Sequence, residues 1–305
     1  MKKFDIIGKR KWWYIISILL LLPGIISIVT QGFNLGIDFT GGTLMDLKFS
    51  RPVTVVEIRD VLKEHHLDNS MIQLASNDEA ATSAESVLIR TANLSDEMHR
   101  AVLADIGNKL GHYEVLRTER VGAVMGSELT MQAIWAMFIS WALIILYVSY
   151  RFEFKFALAA VLALVHDTVI VIGVFSLLQI EIDATFVAAI LTIIGYSIND
   201  TIVIFDRIRE NLKLHHRKNG DLVELADESI WQTMTRSVYT VLTVLFTTAA
   251  LYFFGGETTK NFSFALLVGF ICGAYSSIFT ATPLWITFKN YADRKKMQAN
   301  IKTVK

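Results

Sequence analysis

A single cysteine in 305 residues leaves no intrachain disulfide and no multi-cysteine metal site. That residue, Cys272, lies in an apolar stretch and reads as a small packing side chain. Net charge is missing as well: 29 Lys and Arg balance 29 Asp and Glu, so composition gives no support to nucleic-acid binding. No P-loop lysine, H-E-x-x-H or G-x-S-x-G stands in a usable context, which removes the common soluble-enzyme chemistries and leaves no catalytic or metal-binding residue to name. What the chain has in excess is apolar residues, 53% of the total with a mean hydropathy of +0.44, gathered in long blocks rather than short alternating runs. A membrane protein is the default reading.

Trp12–Val29 is longer than the apolar core of a secretory leader, and no A-x-A-like site follows it, so it is expected to be an uncleaved first span. Further blocks at Ala133–Tyr150, Phe156–Leu178, Ala184–Phe205, Val238–Phe254 and Phe262–Phe288 are each long enough to cross a hydrocarbon core of about 30 Å. Positive charge is sorted between them. Lys2, Lys3, Lys9, Arg10 and Lys11 precede the first span, Arg151 and Lys155 separate the second and third, and Arg207, Arg209, Lys213, Arg217, Lys218 and Arg236 follow the fourth. Lys289, Arg294, Lys295 and Lys296 follow the last, and the intervening turns are nearly free of Lys and Arg, so both termini are expected in the cytoplasm. The resulting plan is residues 1–30 as amino-terminus and first span, 31–128 as a domain outside the cytoplasm, 129–290 as five further spans with a cytoplasmic loop at 206–237, and 291–305 as a cytoplasmic tail.

The outer domain reads as βαββαβ, the ferredoxin-like split motif. Thr43–Phe49 alternates Met45, Leu47 and Phe49 against Leu44, Asp46 and Lys48, as a half-buried strand does. Thr54-Val-Val-Glu57 is a capping box that opens a helix reaching about His65. Met71–Ala75 and Ser86–Thr91 read as strands around a polar loop at Asn77–Glu85, Ser95 caps a second helix ending at Leu110-Gly111, and His112–Arg120 is the last strand. An excess of acidic over basic residues in this domain argues against binding lipid headgroups.

Ionisable groups inside a span are expensive and mark a pathway or a partner. There are two such places, His166-Asp167 midway along the third span and Asn199-Asp200 in the inner half of the fourth. Thr192, Tyr196, Asn199 and Asp206 share helical spacing on the fourth span, with Asp200 flanking them, while Arg236, Thr240, Thr243 and Thr247 form a matching stripe on the fifth. Two such stripes need each other or water. A carboxylate moving between a dry setting and one near Arg236 would take up and release a proton, and about 2.3 kcal/mol per charge per 100 mV is available to drive such a cycle. The plainer reading of either pair is a static hydrogen-bonded contact between helices. The basic run from Arg207 to Arg217 reads as the positive-inside anchor or a docking site, and Gly122-x-x-x-Gly126 and Gly269-x-x-x-Gly273 as helix-packing signals.

Three stretches resemble one family. Phe33-Asn-Leu-Gly-Ile-Asp-Phe-Thr-Gly-Gly-Thr43, Val121-Gly-Ala-Val-Met-Gly-Ser-Glu-Leu129 and Gly195-Tyr-Ser-Ile-Asn-Asp-Thr-Ile-Val-Ile-Phe-Asp-Arg-Ile-Arg-Glu-Asn211 are similar to motifs of the bacterial SecD/SecF proteins, within the RND superfamily. The Tyr-Ser-Ile-Asn-Asp core is nearer the SecF branch, whereas Ala123 stands where many members have proline and Val165 where leucine is common. The resemblance implies a six-span RND-like half and an accessory subunit of the Sec translocon in the bacterial inner membrane. Such a subunit works with SecD and the SecYEG channel, with YajC as a further candidate partner, on exported polypeptide; its energy source is the proton-motive force and it has no cofactor. It also implies proton-linked roles for Asp200 and Arg236, with Asn199, His166 and Asp167 beside them. Gly36, Asp38, Gly41 and Gly42 form a glycine-permitted turn at the exit from the membrane, read as a hinge or as a purely structural corner. An RND exporter of small molecules or lipids and a translocon scaffold that moves no protons are the alternatives.

Overall fold

The computed structural model describes residues 4–75, 82–215 and 221–303. The chain forms two compact units, one of residues 35–134 and one that joins the amino-terminal residues up to Asn34 to everything from Trp135 onward.

In the smaller unit, a short helix α2 (Ile37–Thr40) leads into β1 (Gly42–Thr54), followed by α3 (Val55–Lys63), β2 (Met71–Ala75), β3 (Ser83–Thr91), α4 (Asp96–Leu110) and β4 (Tyr113–Val121). The strands order as β2-β3-β1-β4 with every neighbour antiparallel, the arrangement expected of the split βαββαβ motif. Met45, Leu47 and Phe49 turn inward as their alternation requires, and meet Val87, Ile89, Ile58, Val61, Leu62, Val102 and Ile106 in one apolar core. Each such side chain, taken fully out of water, stabilises by about 1.5–3 kcal/mol. The capping box is present in full: Glu57 N–H donates to Thr54 Oγ1 over 3.2 Å, and Thr54 N–H to Glu57 Oε2 over 2.8 Å. Ser95 caps α4 by accepting from Met98 N–H, and Gly111, at φ 98°, ends it. The β1–β3 register breaks between Lys48 and Val53, the stretch that holds Pro52, where a missing N–H harms no ladder bond. Of the loop expected at Asn77–Glu85, residues 77–81 lie outside the described residues, and Ser83–Glu85 already belong to β3.

The larger unit is helical: α1 (Arg10–Thr30), α5 (Ala123–Arg151, its first turns in the smaller unit), α6 (Phe154–Leu178), α7 (Ala184–His215), α8 (Leu222–Phe254), α9 (Glu257–Ser276) and α10 (Thr282–Thr303). A π-turn, Ser277–Ala281, joins the last two. Among the described residues six helical segments are long and apolar enough to cross a membrane, α9 to α10 counting as one. Gly24 of α1 and Gly173 of α6 let these two helices touch, since a Cβ on Gly24 would fall 2.8 Å from Gly173 Cα. Several bonds tie helix ends of this unit together. Arg209 donates to Arg151 O over 2.9 Å, Lys289 pairs with Glu153 at 3.2 Å, and Ile6 and Ile7 N–H donate to Asp227 Oδ1 over 2.8 and 3.1 Å.

One expectation is overturned. The loop at 206–237 is largely helix: α7 runs on to His215 and α8 begins at Leu222, while Arg217 and Lys218 lie outside the described residues. Hydropathy marks only the apolar part of a helix. Beyond it, this pair is held by fully buried Ile208, Ala226 and Ile230, by Asn211 Nδ2 donating to Ser229 Oγ over 2.8 Å and to Gln232 Oε1 over 3.0 Å, and by the Asp221 cap on Val223 N–H.

Candidate functional site

Asp200 sits on α7 with 8% of its surface exposed. Ser237 of α8 donates its hydroxyl to Asp200 Oδ1 over 2.6 Å, and Oδ2 has no hydrogen-bond partner among the described residues. A half-satisfied carboxyl group in an apolar setting is costly, and its bare oxygen is the one able to exchange a proton. The pair Asn199-Asp200 therefore divides: a helix turns about 100° per residue, which carries Asn199 to the exposed side while Asp200 faces α8. Arg236 is likewise exposed, next to Ser237 in sequence.

Among the described residues the two polar stripes meet where the Tyr196 hydroxyl of α7 faces Thr240 of α8. Thr192, Thr240, Thr243 and Thr247 are exposed, and each returns its hydroxyl to a carbonyl of its own helix, such as Thr240 to Arg236 O over 2.9 Å and Thr192 to Ala188 O over 2.8 Å. Helical spacing correctly put these residues on one face of each helix. Which way that face points is a property of the bundle.

His166 and Asp167 form a second cluster, against the Ser197 face of α7. Asp167 is 1% exposed. Its Oδ1 lies 3.1 Å from His166 Nδ1, and its Oδ2 accepts from Ser197 Oγ over 2.8 Å and from Ser276 Oγ over 2.7 Å. His166 stacks on Tyr275 at 6.1 Å, and the Tyr275 hydroxyl donates to Trp13 O over 3.1 Å. Asp167 thus bonds not to Asp200 but to Ser197, nearly one turn earlier on the same helix.

Ser197, Ser237 and Ser276, the partners of the two carboxylates, were not foreseen. Hydroxyls are unremarkable in apolar helices because they can bond to their own backbone, so only the cross-helix geometry singles them out. A Cβ on Gly269 would fall 2.2 Å from Ile193 Cδ1 and one on Gly273 3.0 Å from Ser197 Cβ, so this pair seats α9 on α7, which is the packing role its spacing suggested. Cys272, half-buried on α9, lies between them in sequence.

The motif at 33–43 forms a packed corner. Gly36 precedes α2 and Asp38 lies in its first turn. Gly41 (φ +70°) and Gly42 (φ +138°) hold backbone conformations that other residues avoid, and a Cβ would fall 2.8 Å from Ala123 Cα in the first case and 2.4 Å from Thr91 O in the second. Gly126 completes the corner, its Cβ position lying 2.8 Å from Phe39 O. Such close backbone contacts support the structural reading of this turn.

Two family models match the chain: "Protein export membrane protein SecD/SecF, C-terminal" over residues 102–291 and "SecD/SecF GG Motif" over residues 26–53. A protein translocase subunit SecF from Acidaminococcus fermentans is 52% identical over 294 residues, covering 96% of this chain and 100% of the relative. One from Haemophilus influenzae is 41% identical over 274 residues, covering 89% and 82%. Among solved structures, SecDF from Thermus, described as a translocon-associated membrane protein, superposes with a TM-score of 0.85 at 37% identity over 94% of this chain, which spans 39% of that longer chain. Taken with the six spans, the split βαββαβ unit and the carboxylates buried between helices, these matches show that the chain belongs to the SecD/SecF family of protein-export membrane proteins.

Proposed function

We propose that the chain is a SecF-type accessory subunit of the Sec protein translocase, working with a SecD-type partner to use the proton-motive force in completing export of polypeptide. The observation that carries this reading is Asp200, buried between helices with Oδ1 held by Ser237 and Oδ2 unpartnered among the described residues. A proton arriving at Oδ2 neutralises a charge in an apolar interior and changes what α8 faces. The membrane potential supplies about 2.3 kcal/mol per charge per 100 mV, enough for a few protons to drive a mechanical step. Energy comes from the gradient itself, with no cofactor.

The surface of α7 and α8 supports a partner. Arg236, Asn199 and the threonine stripe are exposed on membrane-length helices, and a bare guanidinium against lipid is costly, so this face meets protein or water. The most apolar stretch of α5 has no buried residue, and the matching solved SecDF chain is more than twice as long, in keeping with a SecD-like half that covers these surfaces. Lys and Arg flanking the spans support a topology with both termini in the cytoplasm of a bacterial inner membrane and the βαββαβ unit outside, where exported polypeptide would emerge from a SecYEG-type channel.

Asp200→Asn tests the reading. In inverted membrane vesicles containing the channel and both subunits, gradient-stimulated export of a preprotein should fall to the level seen without the gradient. Undiminished stimulation would leave the scaffold as the better account, and loss of hydrophobic-compound efflux with normal export would favour the RND exporter.

A further inference from the structure

The turn of α7 that carries Asp200 is fastened on its adjoining face, toward α6 and α9. Ser197, three residues earlier, donates to Asp167 Oδ2 on α6 over 2.8 Å, and the same oxygen accepts from Ser276, the last residue of α9, over 2.7 Å. One residue past Asp200, Thr201 Oγ1 meets Ser277 Oγ at 2.8 Å, and Ser277 Oγ also reaches Ser197 O at 3.3 Å. Ser277 opens the π-turn, so the fastening falls where the backbone pattern of the last span changes. The Gly269 and Gly273 notches hold Ile193 and Ser197 over the preceding turns. Toward α8 the link at Asp200 itself is one hydrogen bond, from Ser237; the Asn211 bonds to Ser229 and Gln232 that also join α7 to α8 lie about three turns further along α7, so they leave the two helices free to part around Asp200.

Both oxygens of Asp167 therefore have partners from other side chains, whereas Asp200 keeps one bare. Sliding α7 along α9 would break several buried hydrogen bonds and drive Ile193 out of a notch cut for it, and buried polar networks of this kind rigidify what they join. We infer that Asp167 is a positioning residue that does not carry protons: with Ser197 and Ser276 it binds α6, α7 and α9 into one body, so that the movement coupled to Asp200 takes place between α7 and α8. This rests on the reading of Asp200 as the proton-linked group.

An Asp167→Asn carboxamide keeps an oxygen for the two serine hydroxyls and turns an amide N–H toward His166 Nδ1, so the fastening survives while proton uptake at that position is lost. In vesicles with the full chain and its partner, gradient-driven export by Asp167→Asn should stay within about threefold of the parent protein and keep its pH profile. Asp167→Ala and the double variant Ser197→Ala with Ser276→Ala should each lose about tenfold or more. A second test avoids the polar cluster. The Cβ position of Gly269 lies 2.4 Å from Ile193 Cγ1, one bond from Ile193 Cβ, which is within reach of a disulfide. Ile193→Cys with Gly269→Cys, in a Cys272→Ala background, should export equally well oxidised and reduced. The inference is overturned if Asp167→Asn is as inactive as Asp200→Asn with a flattened pH profile, or if oxidation of the cysteine pair stops export and reductant restores it. Full activity of Asp200→Asn would instead remove the proton reading, and the cross-link would still decide whether α7 and α9 move together.

Discussion

Replacing Gly41 with alanine separates a packed corner from a hinge. At φ +70° and ψ 163° this residue occupies a region that is essentially glycine-only, where a side chain costs about 1–3 kcal/mol. Its Cβ would also fall 2.8 Å from Ala123 Cα and 2.9 Å from Ala123 N, atoms of backbone that cannot rotate aside. Overpacking of that sort costs about 1–3 kcal/mol more, offset by about 0.4–1 kcal/mol from the lower entropy of the unfolded chain. The expected loss is about 1–5 kcal/mol, a sizeable part of the stability of a small unit. Since each 1.4 kcal/mol is tenfold, amide hydrogens in the ladder pairing Thr43–Lys48 with Ser86–Thr91 should exchange at least about fivefold faster in the full-length protein. Gly122→Ala is the control: it belongs to the neighbouring motif, but a Cβ there meets nothing within 4 Å, so exchange should not change. Exchange in Gly41→Ala within threefold of the parent protein, together with a loss of export, would refute the corner and restore the hinge. Equal damage from Gly122→Ala would refute the steric argument altogether.

Ser237→Ala removes the one hydrogen bond to Asp200 and leaves the buried carboxyl group with none; at about 1–3 kcal/mol for such a loss, gradient-driven export should drop by about tenfold or more, while gradient-independent export stays unchanged. Asp227→Ala releases the Ile6 and Ile7 N–H groups, which should expose the segment before α1 to protease and alter the emission of Trp231, whose indole donates to Phe4 O over 3.0 Å; Asp227→Asn, which keeps an acceptor, should behave as the parent protein. In the smaller unit the Thr54 N–H and then Arg51 hold the Glu57 carboxyl below the usual carboxylate range. A depressed folded-state value means that its support for α3 is complete above the unfolded pKa of about 4.3 and fades as pH falls through the folded value. Thr54→Ala removes the cap, typically about 1 kcal/mol, so α3 amides should exchange faster in this variant at neutral pH, and the gap should narrow in acid. A gap that widens in acid would reverse that sign.

Periodicity determined much of this protein before any contact was known. Apolar runs located six spans because a hydrocarbon core accepts only helices of sufficient length, and the alternation of Met45, Leu47 and Phe49 placed the core face of β1 because side chains in a strand point alternately to opposite sides. Capping signals at Thr54 and Ser95 are local chemistry and were equally legible. The same locality limits what such signals can say. Hydropathy loses α7 and α8 where they leave the apolar zone, although buried Ile208 and the Asn211–Ser229 bond carry both helices onward. The site was half legible: an ionisable residue in a span draws attention by its cost, which is how Asp167 and Asp200 were found, but cost does not reveal a partner. Only the bundle turns Asn199 and Arg236 outward, sets Ser237 against Asp200, and closes Asp167 with serines from two other helices, because a hydrogen bond between helices depends on their relative rotation and depth, which no spacing along one chain segment encodes.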